Sequence, residues 1–373
     1  MRNLMNIYKR KDGRFEGRIP FGRDDNGNLK YKYLYSKNLA QLKEKMLNAY
    51  ANSEKYSPVS CSKTVQELSI EWLSCAKIRV KESSYCCYEK IVRKHIISYF
   101  KKTKYCALNT VKINEFIEYL LKNGRANGKG GLSAGTVQDI IVIMRSIAKY
   151  TEREYGLRNP MYNISIPKIE KNDISVLKDK ERSKLQKYLQ NNLTNTNLGI
   201  LLAMYSGIRI GEVCALTWGD IDLKNGIVHI SRTIQRVHET QGINSSRKTK
   251  LIIGSAKSRS SKRDIPIPEF LINILKQKNR SKEIFILSGS CKPVEPRTMQ
   301  NRFRSVLKKC RVRDVNFHVL RHTYATVCIE NGFDAKTVSE LLGHASVNIT
   351  LNRYVHSDLE IKKKYISKLN FAA

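Results

Sequence analysis

The strings HVLRHTYAT (His318–Thr326) and LGHASVNITLNRY (Leu341–Tyr354) decide the interpretation of the last third of this chain. They lie in a region whose apolar spacing predicts helices. A third string, SGIRIGE (Ser206–Glu212), lies upstream. The arginine and histidine side chains in these strings can stabilise a doubly negative phosphoryl transition state while a tyrosine hydroxyl attacks the phosphorus. The candidate groups are Arg209, His318, Arg321, His344 and Tyr354.

The chain is long enough for two or three domains and is strongly basic. It has 373 residues, and domains average roughly 150 residues. Hydrophobic residues make up 41% of it, enough to build ordinary cores. The 68 Lys and Arg against 33 Asp and Glu give a net charge of +35, so we expect a polyanionic partner, usually nucleic acid. A membrane partner is not expected, because no apolar run reaches about 18 residues.

The nine cysteines do not form a pattern typical of zinc sites or disulfide frameworks. They include no CxxC pair, and no signal peptide opens the chain. We therefore expect free thiols and a cytoplasmic protein.

Residues 1–57 are predicted to form a three-stranded sheet followed by a helix. Turn signals separate three strand-like segments that are rich in aromatic residues and isoleucine, namely Asn6–Lys9, Arg14–Pro20 and Leu29–Tyr35. Ser36 is the expected cap of a helix that extends to about Asn52. Its apolar stripe is predicted to contain Leu39, Leu42 and Met46.

Basic side chains accompany the aromatic residues of this sheet. A twisted sheet with basic and aromatic side chains can enter a major groove. The candidates for DNA contact are Arg14, Arg18, Lys30 and Lys32. The alternative is a solvated basic sheet without a partner.

Residues 64–165 are predicted to form a helical bundle after a polar linker. Helices are expected near Lys112–Lys122 and over Ser133–Glu154, with Ser133 as the cap. Basic positions, which include Arg93 and Lys94, favour contact with DNA phosphates. The apolar residues recur at spacings of three and four, as in Val65, Leu68, Trp72 and Leu73.

Residues 174–373 are predicted to form a mixed α/β domain that is mainly helical. Helices are expected on both sides of a β-region with three segments, Gly226–Val237, Leu251–Ser255 and Arg263–Pro266. The chain as a whole is thus predicted to be a multidomain, mainly α protein with α+β parts.

Cleavage of a phosphodiester needs a nucleophile, positive charge near the non-bridging oxygens and a proton for the leaving oxygen. No acidic cluster or HExxH motif suggests a bound metal, so we expect no metal and no other cofactor. Arginine suits the task because its planar guanidinium contacts two oxygens and stays charged. A tyrosine nucleophile needs nearby cations or a base, because its pKa is normally about 10.

Four separated motifs resemble, in order, those of the tyrosine recombinase (phage integrase) family. They are SGIRIGEVCALTWGDI, AKSRSSKRDIPIP, HVLRHTYAT and LGHASVNITLNRYVH. The resemblance extends from about residue 180 to the end of the chain, and the two upstream modules resemble the layout of lambda-type and conjugative-transposon integrases. It implies an arm-site-binding sheet domain, a SAM-like helical core-binding domain and a tyrosine-recombinase catalytic domain.

The resemblance also implies a role for each motif residue. Tyr354 would be the nucleophile and would form a 3′-phosphotyrosyl bond that releases a 5′-hydroxyl. Arg209 and Arg321 would bind non-bridging oxygens, and His344 would donate a hydrogen bond to the phosphate. His318 would assist proton transfer at the nucleophile or contact the phosphate.

Two further positions complete the implied set. Lys257 would protonate the departing 5′-oxygen, with Lys262 as the neighbouring alternative. Glu212, one helical turn after Arg209, would orient the cations or serve the structure alone. His322 is interpreted as a core or supporting residue that points elsewhere on the helix.

The predicted function is that of a site-specific DNA recombinase, of the kind that integrates and excises a prophage or an integrative conjugative element. Four protomers would exchange strands of double-stranded DNA at core and arm attachment sites, without metal or nucleotide. An excisionase or a host DNA-bending protein is a further expected partner. The tail after Tyr354 would dock on a neighbouring protomer or fold back on its own domain.

Three alternative functions would each require different features of the chain. A chromosome-dimer-resolving recombinase shares the chemistry but usually lacks an N-terminal module of this kind. A type IB topoisomerase uses similar chemistry without a specific site. An inactive DNA-binding regulator would have lost the nucleophile or an arginine, and none is missing.

Overall fold

The structure is a computed structural model, and it describes residues 6–23, 29–52, 62–125, 128, 130–169, 175–238, 249–255, 261–278 and 280–354. Contacts divide the chain into two compact units, residues 1–170 and 171–373. No helix in the described ranges is long and apolar enough to cross a membrane.

The first unit begins with a small antiparallel sheet and one helix that packs on it, as predicted. The strands lie side by side in chain order. Ile19 of the sheet packs against Leu42 and Met46 of the helix, and all three side chains are buried. The elements are β1 (Asn6–Lys9), β2 (Phe15–Arg23), β3 (Leu29–Ser36) and α1 (Leu39–Asn52).

Two details of α1 differ from the prediction. The helix begins at Leu39 and not after Ser36, because the Ala40 backbone N–H donates to Asn38 Oδ1 (2.8 Å). Ser36 instead ends β3, and its hydroxyl accepts from the Asn38 backbone N–H. Leu39 is 39% exposed, so the buried stripe of the helix begins at Leu42.

A helical bundle with its own core completes the first unit. Thr64 caps its first helix, since Thr64 Oγ1 accepts from the Glu67 backbone N–H and Glu67 accepts from the Thr64 backbone N–H. Ser133 caps the last helix through the Thr136 backbone N–H, as predicted. The helices are α2 (Val65–Arg79), α3 (Glu82–Ile91), a π-helical segment (Val92–Ile97), α4 (Ser98–Phe100), α5 (Thr110–Asn123) and α6 (Ala134–Tyr155).

The core of this bundle follows the predicted apolar spacing. Val65, Leu68, Trp72 and Leu73 are all buried in it. Seven cysteines of the described chain are free. The expectation of free thiols throughout is wrong at Cys106, which is disulfide-bonded; the sequence has no CxxC pair that would have indicated it.

The second unit is a mainly helical α/β domain with one large hydrophobic core and a smaller cluster that contains Tyr354. Its described strands form a three-stranded antiparallel sheet and a separate two-stranded hairpin. The helices are α7 (Asp179–Asn191), α8 (Asn195–Ser206), α9 (Ile210–Ala215), α10 (Glu269–Lys278), α11 (Pro296–Lys309), α12 (His318–Glu330), α13 (Ala335–Leu342) and α14 (Val347–Tyr354). The sheet contains β4 (Ile221–Asp222), β5 (Ile227–Ile230) and β8 (Arg263–Pro266), and the hairpin contains β6 (Arg232–His238) and β7 (Thr249–Ser255).

The first described segment of this unit is anchored to α12. The Leu177 backbone N–H donates to Thr323 Oγ1 (2.9 Å), and Leu177 is buried. Arg313 donates to Ser175 Oγ (2.9 Å) and to the Val176 carbonyl, and it also pairs with Glu181. Residues 175–177 are therefore part of the packing behind α12.

Candidate active site

A tight turn between α8 and α9 positions the first arginine. Gly207 ends α8 with φ +63°, a left-handed conformation that glycine adopts at little cost. Its Cα lies close to α12 and α13, since a Cβ there would come within 2.5 Å of the Tyr324 ring and 2.8 Å of Leu342. The chain then enters α9 at Arg209, whose backbone N–H donates to Glu212 Oε2 (2.9 Å).

Glu212 holds two arginine side chains. Its Oε1 accepts from Arg209 Nη1 (2.8 Å), and its Oε2 accepts from Arg263 Nη2 (2.9 Å). Glu212 and the Arg263 side chain are only 4% and 6% exposed. Burial raises the pKa of the Glu212 carboxyl, but the hydrogen bonds and charges of Arg263 and Arg209 outweigh it, and the net pKa is lowered. Glu212 is therefore a charged carboxylate that fixes both guanidinium groups.

The two arginines extend this network to the end of α13. Arg263, on β8, donates from Nε to the Leu341 carbonyl (2.7 Å). Arg209 donates from Nη2 to the Gly343 carbonyl (3.2 Å). Gly343 ends α13 with φ +65°, and His344 follows it directly. The network therefore holds the turn that carries His344.

Helix α12 carries the second arginine. Arg321 is 2% exposed, and its Nη1 donates to the Gly207 carbonyl (3.0 Å). Its Nη2 has no hydrogen-bond partner within the described ranges. Burial, together with the charges of Arg209 and Arg263, lowers the pKa of Arg321 to about 9. The structure thus contains a buried guanidinium that is only half satisfied.

His344 lies beside a buried hydroxyl. Its Nδ1 is 2.8 Å from Thr350 Oγ1, which leaves Nε2 as the nitrogen for a ligand. Burial, with the charges of Arg321 and Arg209, lowers the pKa of His344 to about 4. The imidazole is therefore neutral at pH 7.

Tyr354 is the last residue of α14 and is 7% exposed. Its ring stacks parallel to His344 with 6.4 Å between the ring centroids. Its Oη is 2.6 Å from His322 Nδ1. Burial raises the pKa of the Tyr354 hydroxyl, and the charges of Arg321 and Arg353 oppose that rise without cancelling it. The hydroxyl is therefore protonated in the uncomplexed protein.

A cleft of about 540 Å³ opens onto this cluster. Four predicted residues line it, namely Arg209, Glu212, His318 and His344. Arg321 and Tyr354 are buried beside the cleft. The charge of Arg321 acts on Tyr354, because it opposes the rise in the pKa of that hydroxyl. Lys257 lies outside the described residues, and Lys262 is exposed on the surface.

Two residues of the cluster escaped the sequence interpretation. The expectation that His322 points elsewhere is wrong, because its four-residue spacing from His318 puts both rings on one helical face, edge to face at 4.6 Å. Arg263 was predicted only as the first residue of a β-segment and was given no role in the site. The alternation of side chains along a strand could have indicated that Arg263 points inward. Arg263 lies two residues before the fully buried Ile265 on β8, so both side chains are on the same face.

The basic residues predicted to contact DNA through the sheet do not share one face. Arg18 is paired in register with Tyr33, and Tyr8 and Tyr33 flank its guanidinium at 4.8 and 5.5 Å. Lys32 is paired with the buried Ile19 and so lies on the opposite face. Arg18 and Lys32 therefore lie on opposite faces of the sheet.

The other basic candidates of the first unit are mostly exposed. Arg14 pairs with Asp12 (2.8 Å) and Arg93 pairs with Glu89 (2.9 Å). Lys94 is exposed on the π-helical segment. Lys30 lies in β3, but its side chain is outside the described part of the structure.

Two protein-family models match the chain. Residues 175–360 match the model described as the phage integrase family. Residues 64–121 match the phage integrase N-terminal SAM-like domain.

Known relatives span much of the chain. A tyrosine recombinase XerC-like protein of Caldanaerobacter subterraneus subsp. tengcongensis is 29% identical over 94% of each chain. The tyrosine recombinase XerC of Bacillus licheniformis is 30% identical over 64% of this chain and 75% of its own. The ICEBs1 integrase of Bacillus subtilis is 23% identical over 98% of this chain and 99% of its own.

A solved structure shares the fold. The Tn1549 transposon integrase in complex with a circular intermediate DNA matches with a TM-score of 0.66 and 18% identity. The match covers 83% of this chain and 100% of that one. The predicted fold class, mainly helical with small sheets and a SAM-like module before the catalytic one, is confirmed.

Proposed function

We propose a specific function from the premise that this chain belongs to the phage integrase family of tyrosine recombinases, enzymes that cleave and rejoin DNA. The chain is the integrase of a mobile element. It inserts and excises that element by site-specific exchange through a 3′-phosphotyrosyl intermediate.

The observation that carries this proposal is the half-satisfied guanidinium of Arg321. A buried charged donor without an acceptor is costly, and Arg321 Nη2 is such a donor within the described ranges. Arg209 and Arg263 add positive charge, and Glu212 is the carboxylate that opposes them. A bound phosphodiester oxygen would satisfy Nη2 and relieve the repulsion between the cations.

The chemistry follows from the placement of the cluster. Tyr354 Oη attacks the scissile phosphorus, so that an Oη–P bond forms and the bond from phosphorus to the 5′-oxygen breaks. Arg209 and Arg321 neutralise the non-bridging oxygens as charge builds up. His344 donates from Nε2, since its Nδ1 lies against Thr350. Because the phosphotyrosyl ester conserves the energy of the broken phosphodiester bond, rejoining needs no nucleotide.

The remaining roles complete the set. We assign Lys257 as the donor of a proton to the leaving 5′-oxygen on the strength of its motif. Glu212 orients Arg209, a role that its hydrogen bonds to that guanidinium support. His318 contacts the phosphate, a role supported by its position on the wall of the cleft.

The relatives favour an integrase. The ICEBs1 integrase matches over 98% of this chain, whereas the XerC of Bacillus licheniformis matches over 64%. Resolution of chromosome dimers is the second candidate, because a XerC-like relative also spans 94% of this chain.

The substrate is double-stranded DNA. The Tn1549 integrase was solved with a circular intermediate DNA, and the charge of +35 on this chain suits such a partner. We assign core sites to residues 64–165 together with residues 174–373, and arm sites to residues 1–57. Four protomers assemble on the DNA, aided by an excisionase or a host DNA-bending protein. The tail after Tyr354, for which docking on a neighbouring protomer was one of two expectations, lies outside the described residues.

A suicide-substrate assay tests the proposal. Nicked duplexes are made from the DNA that flanks the gene for this chain, and a duplex of shuffled sequence serves as the site control. The wild-type chain should form a covalent complex with the flanking DNA, and mapping of the trapped peptide should place the DNA on Tyr354. Added EDTA should leave the rate unchanged.

Two tyrosine variants make the test specific. Tyr354→Phe should bind the duplex but form no adduct. Tyr324→Phe, which removes a hydroxyl from a partly buried ring that packs against the hydrophobic cluster containing Tyr354, should keep the adduct. An adduct on Tyr354→Phe would overturn the assignment of the nucleophile. A preference for the chromosomal dimer-resolution site over the flanking DNA would favour the second candidate.

A further inference from the structure

The hydroxyl of Tyr354 has a close partner to which the roles above give no task. His322 Nδ1 lies 2.6 Å from Tyr354 Oη, a short hydrogen bond. Tyr354 is buried and His322 is partly buried, and the centroids of the two rings are 5.7 Å apart. The two residues come from different helices, α12 and α14. The contact therefore depends on the packing of the whole cluster.

The direction of this hydrogen bond follows from the charge around it. Burial, with the positive fields of His318, Arg353 and Arg321, lowers the pKa of His322 to about 4. A neutral imidazole has one nitrogen that accepts, and the protonated Tyr354 hydroxyl is the donor that faces it. Arg353 also contacts the hydroxyl, but a guanidinium can only donate. The phenolic proton therefore lies between Oη and His322 Nδ1.

We propose that His322 is a catalytic residue that orients Tyr354 and accepts its proton as the hydroxyl attacks DNA. The inference rests on the function proposed above. In the cleavage step the Oη–P bond forms, the bond from phosphorus to the 5′-oxygen breaks, and the phenolic proton passes to His322 Nδ1. A separate donor supplies the proton that the 5′-oxygen takes up. Rejoining reverses each transfer, so His322 ends neutral.

The same geometry makes this transfer depend on bound DNA. In the uncomplexed site the transfer is strongly uphill, because the pKa of His322 is low and that of Tyr354 is raised. His318 and Arg321 from α12, Arg353 from α14 and His344 beside the Tyr354 ring face the pair, and their combined field disfavours an imidazolium. A phosphate whose negative charge grows in the transition state opposes that field and raises the pKa of His322. The base is thus available only when its substrate is in place.

His318 does not take this role in the geometry observed. It lies at the start of α12 and lines the cleft, where a phosphate would enter. Its ring contacts the edge of the His322 ring. His318 can therefore support the proton acceptor while it contacts the phosphate itself.

The test separates the nucleophile side of the reaction from the leaving-group side. A duplex with sulfur in place of the bridging 5′-oxygen has a thiolate leaving group, which departs without a proton because thiols are far more acidic than alcohols. On ordinary DNA, His322→Ala and Lys257→Ala should each slow adduct formation by about 10²–10⁴-fold, the usual contribution of a proton-transfer group. On the sulfur-containing duplex the Lys257→Ala rate should recover, whereas the His322→Ala rate should stay low.

Further variants distinguish proton transfer from orientation. His322→Gln keeps an acceptor for the Tyr354 hydroxyl but cannot take its proton at neutral pH, so it should stay as slow as His322→Ala. Added imidazole should partly restore His322→Ala and should not restore Tyr354→Phe. His229→Ala removes a histidine from an exposed pair with Asp264 and is the matched control, with an unchanged rate expected. DNA affinity and urea unfolding, measured for every variant, show whether a slow variant is folded and bound.

The outcomes decide the proposal. A wild-type rate for His322→Ala, a full recovery on the sulfur-containing duplex, or a wild-type rate for His322→Gln would each overturn His322 as the proton acceptor. A His322→Ala variant that does not fold leaves His322→Gln to carry the decision. None of these results bears on whether the chain is an integrase. The proposed integrase function is contradicted only if the wild-type chain forms no adduct or if Tyr354→Phe still forms one.

Discussion

Removal of the Glu212 carboxylate should destabilise the second unit severely. Glu212→Ala would leave the guanidinium of Arg263 buried without its counter-charge, close to Arg209 and Arg321. Loss of one partner of a buried, hydrogen-bonded pair costs about 3–5 kcal/mol, and the 4% and 6% exposures of this pair put it in that class. Glu212→Gln, which keeps the shape and loses the charge, should cost less. The matched control is Asp314→Ala, which breaks an exposed pair with Arg304 in the same unit and should cost less than about 1 kcal/mol.

The tryptophans allow the measurement to be made on one unit at a time. The chain has two, Trp72 in the first unit and the buried Trp218 in the second. In a Trp72→Phe background, fluorescence during urea unfolding reports the second unit alone. The free energy of unfolding should fall by about 3–5 kcal/mol for Glu212→Ala. A loss below about 1 kcal/mol, equal to that of the exposed control, would show that water reaches the pair and would refute the reasoning.

Three further predictions follow from the same cluster. Gly207→Ala should destabilise the second unit by several kcal/mol in urea unfolding, since its Cβ would meet Tyr324 at 2.5 Å; Gly156→Ala, with the same φ of +63° and open space, should cost only about 1–2 kcal/mol. Lowering the pH from about 6.5 to 4 should destabilise the second unit, because His322 and His344 have a folded pKa of about 4 and the unfolded chain binds their protons first; equal urea midpoints at pH 7 and pH 5 would contradict this. Thr350→Val should slow adduct formation by up to about tenfold, since His344 loses the hydroxyl that orients it, and an unchanged rate would argue against that role.

The helices and the spacing of residues within single motifs could be predicted from the sequence, because they depend on local periodicity. The caps Thr64 and Ser133 illustrate the local case, and so does the shared face of His318 and Arg321. The ion pair of Glu212 with Arg263 joins residues 51 positions apart in the chain. Its existence depends on how β8 packs against α9, which no local pattern specifies.

The sheet of the first unit shows the same limit. Arg18 and Lys32 both belong to predicted strands, but the face that each occupies depends on the register between β2 and β3. A shift of one residue would exchange the two faces. The orientation of His322 could have been predicted, because its four-residue spacing from His318 places the two histidine rings on one side of α12; its contact with Tyr354, 32 residues away on α14, could not.

The anchor of residues 175–177 has a practical consequence for dissecting the chain. An expression fragment cut at the first helix of the second unit, Asp179, would contain every element of that unit. It would nevertheless lack the Leu177 amide that satisfies Thr323 and the groups that Arg313 holds. Thr323 lies on the same helix as Arg321 and His322. Such a fragment would therefore lack packing contacts of the helix that carries these two site residues. Fragments for activity work should begin at or before Ser175.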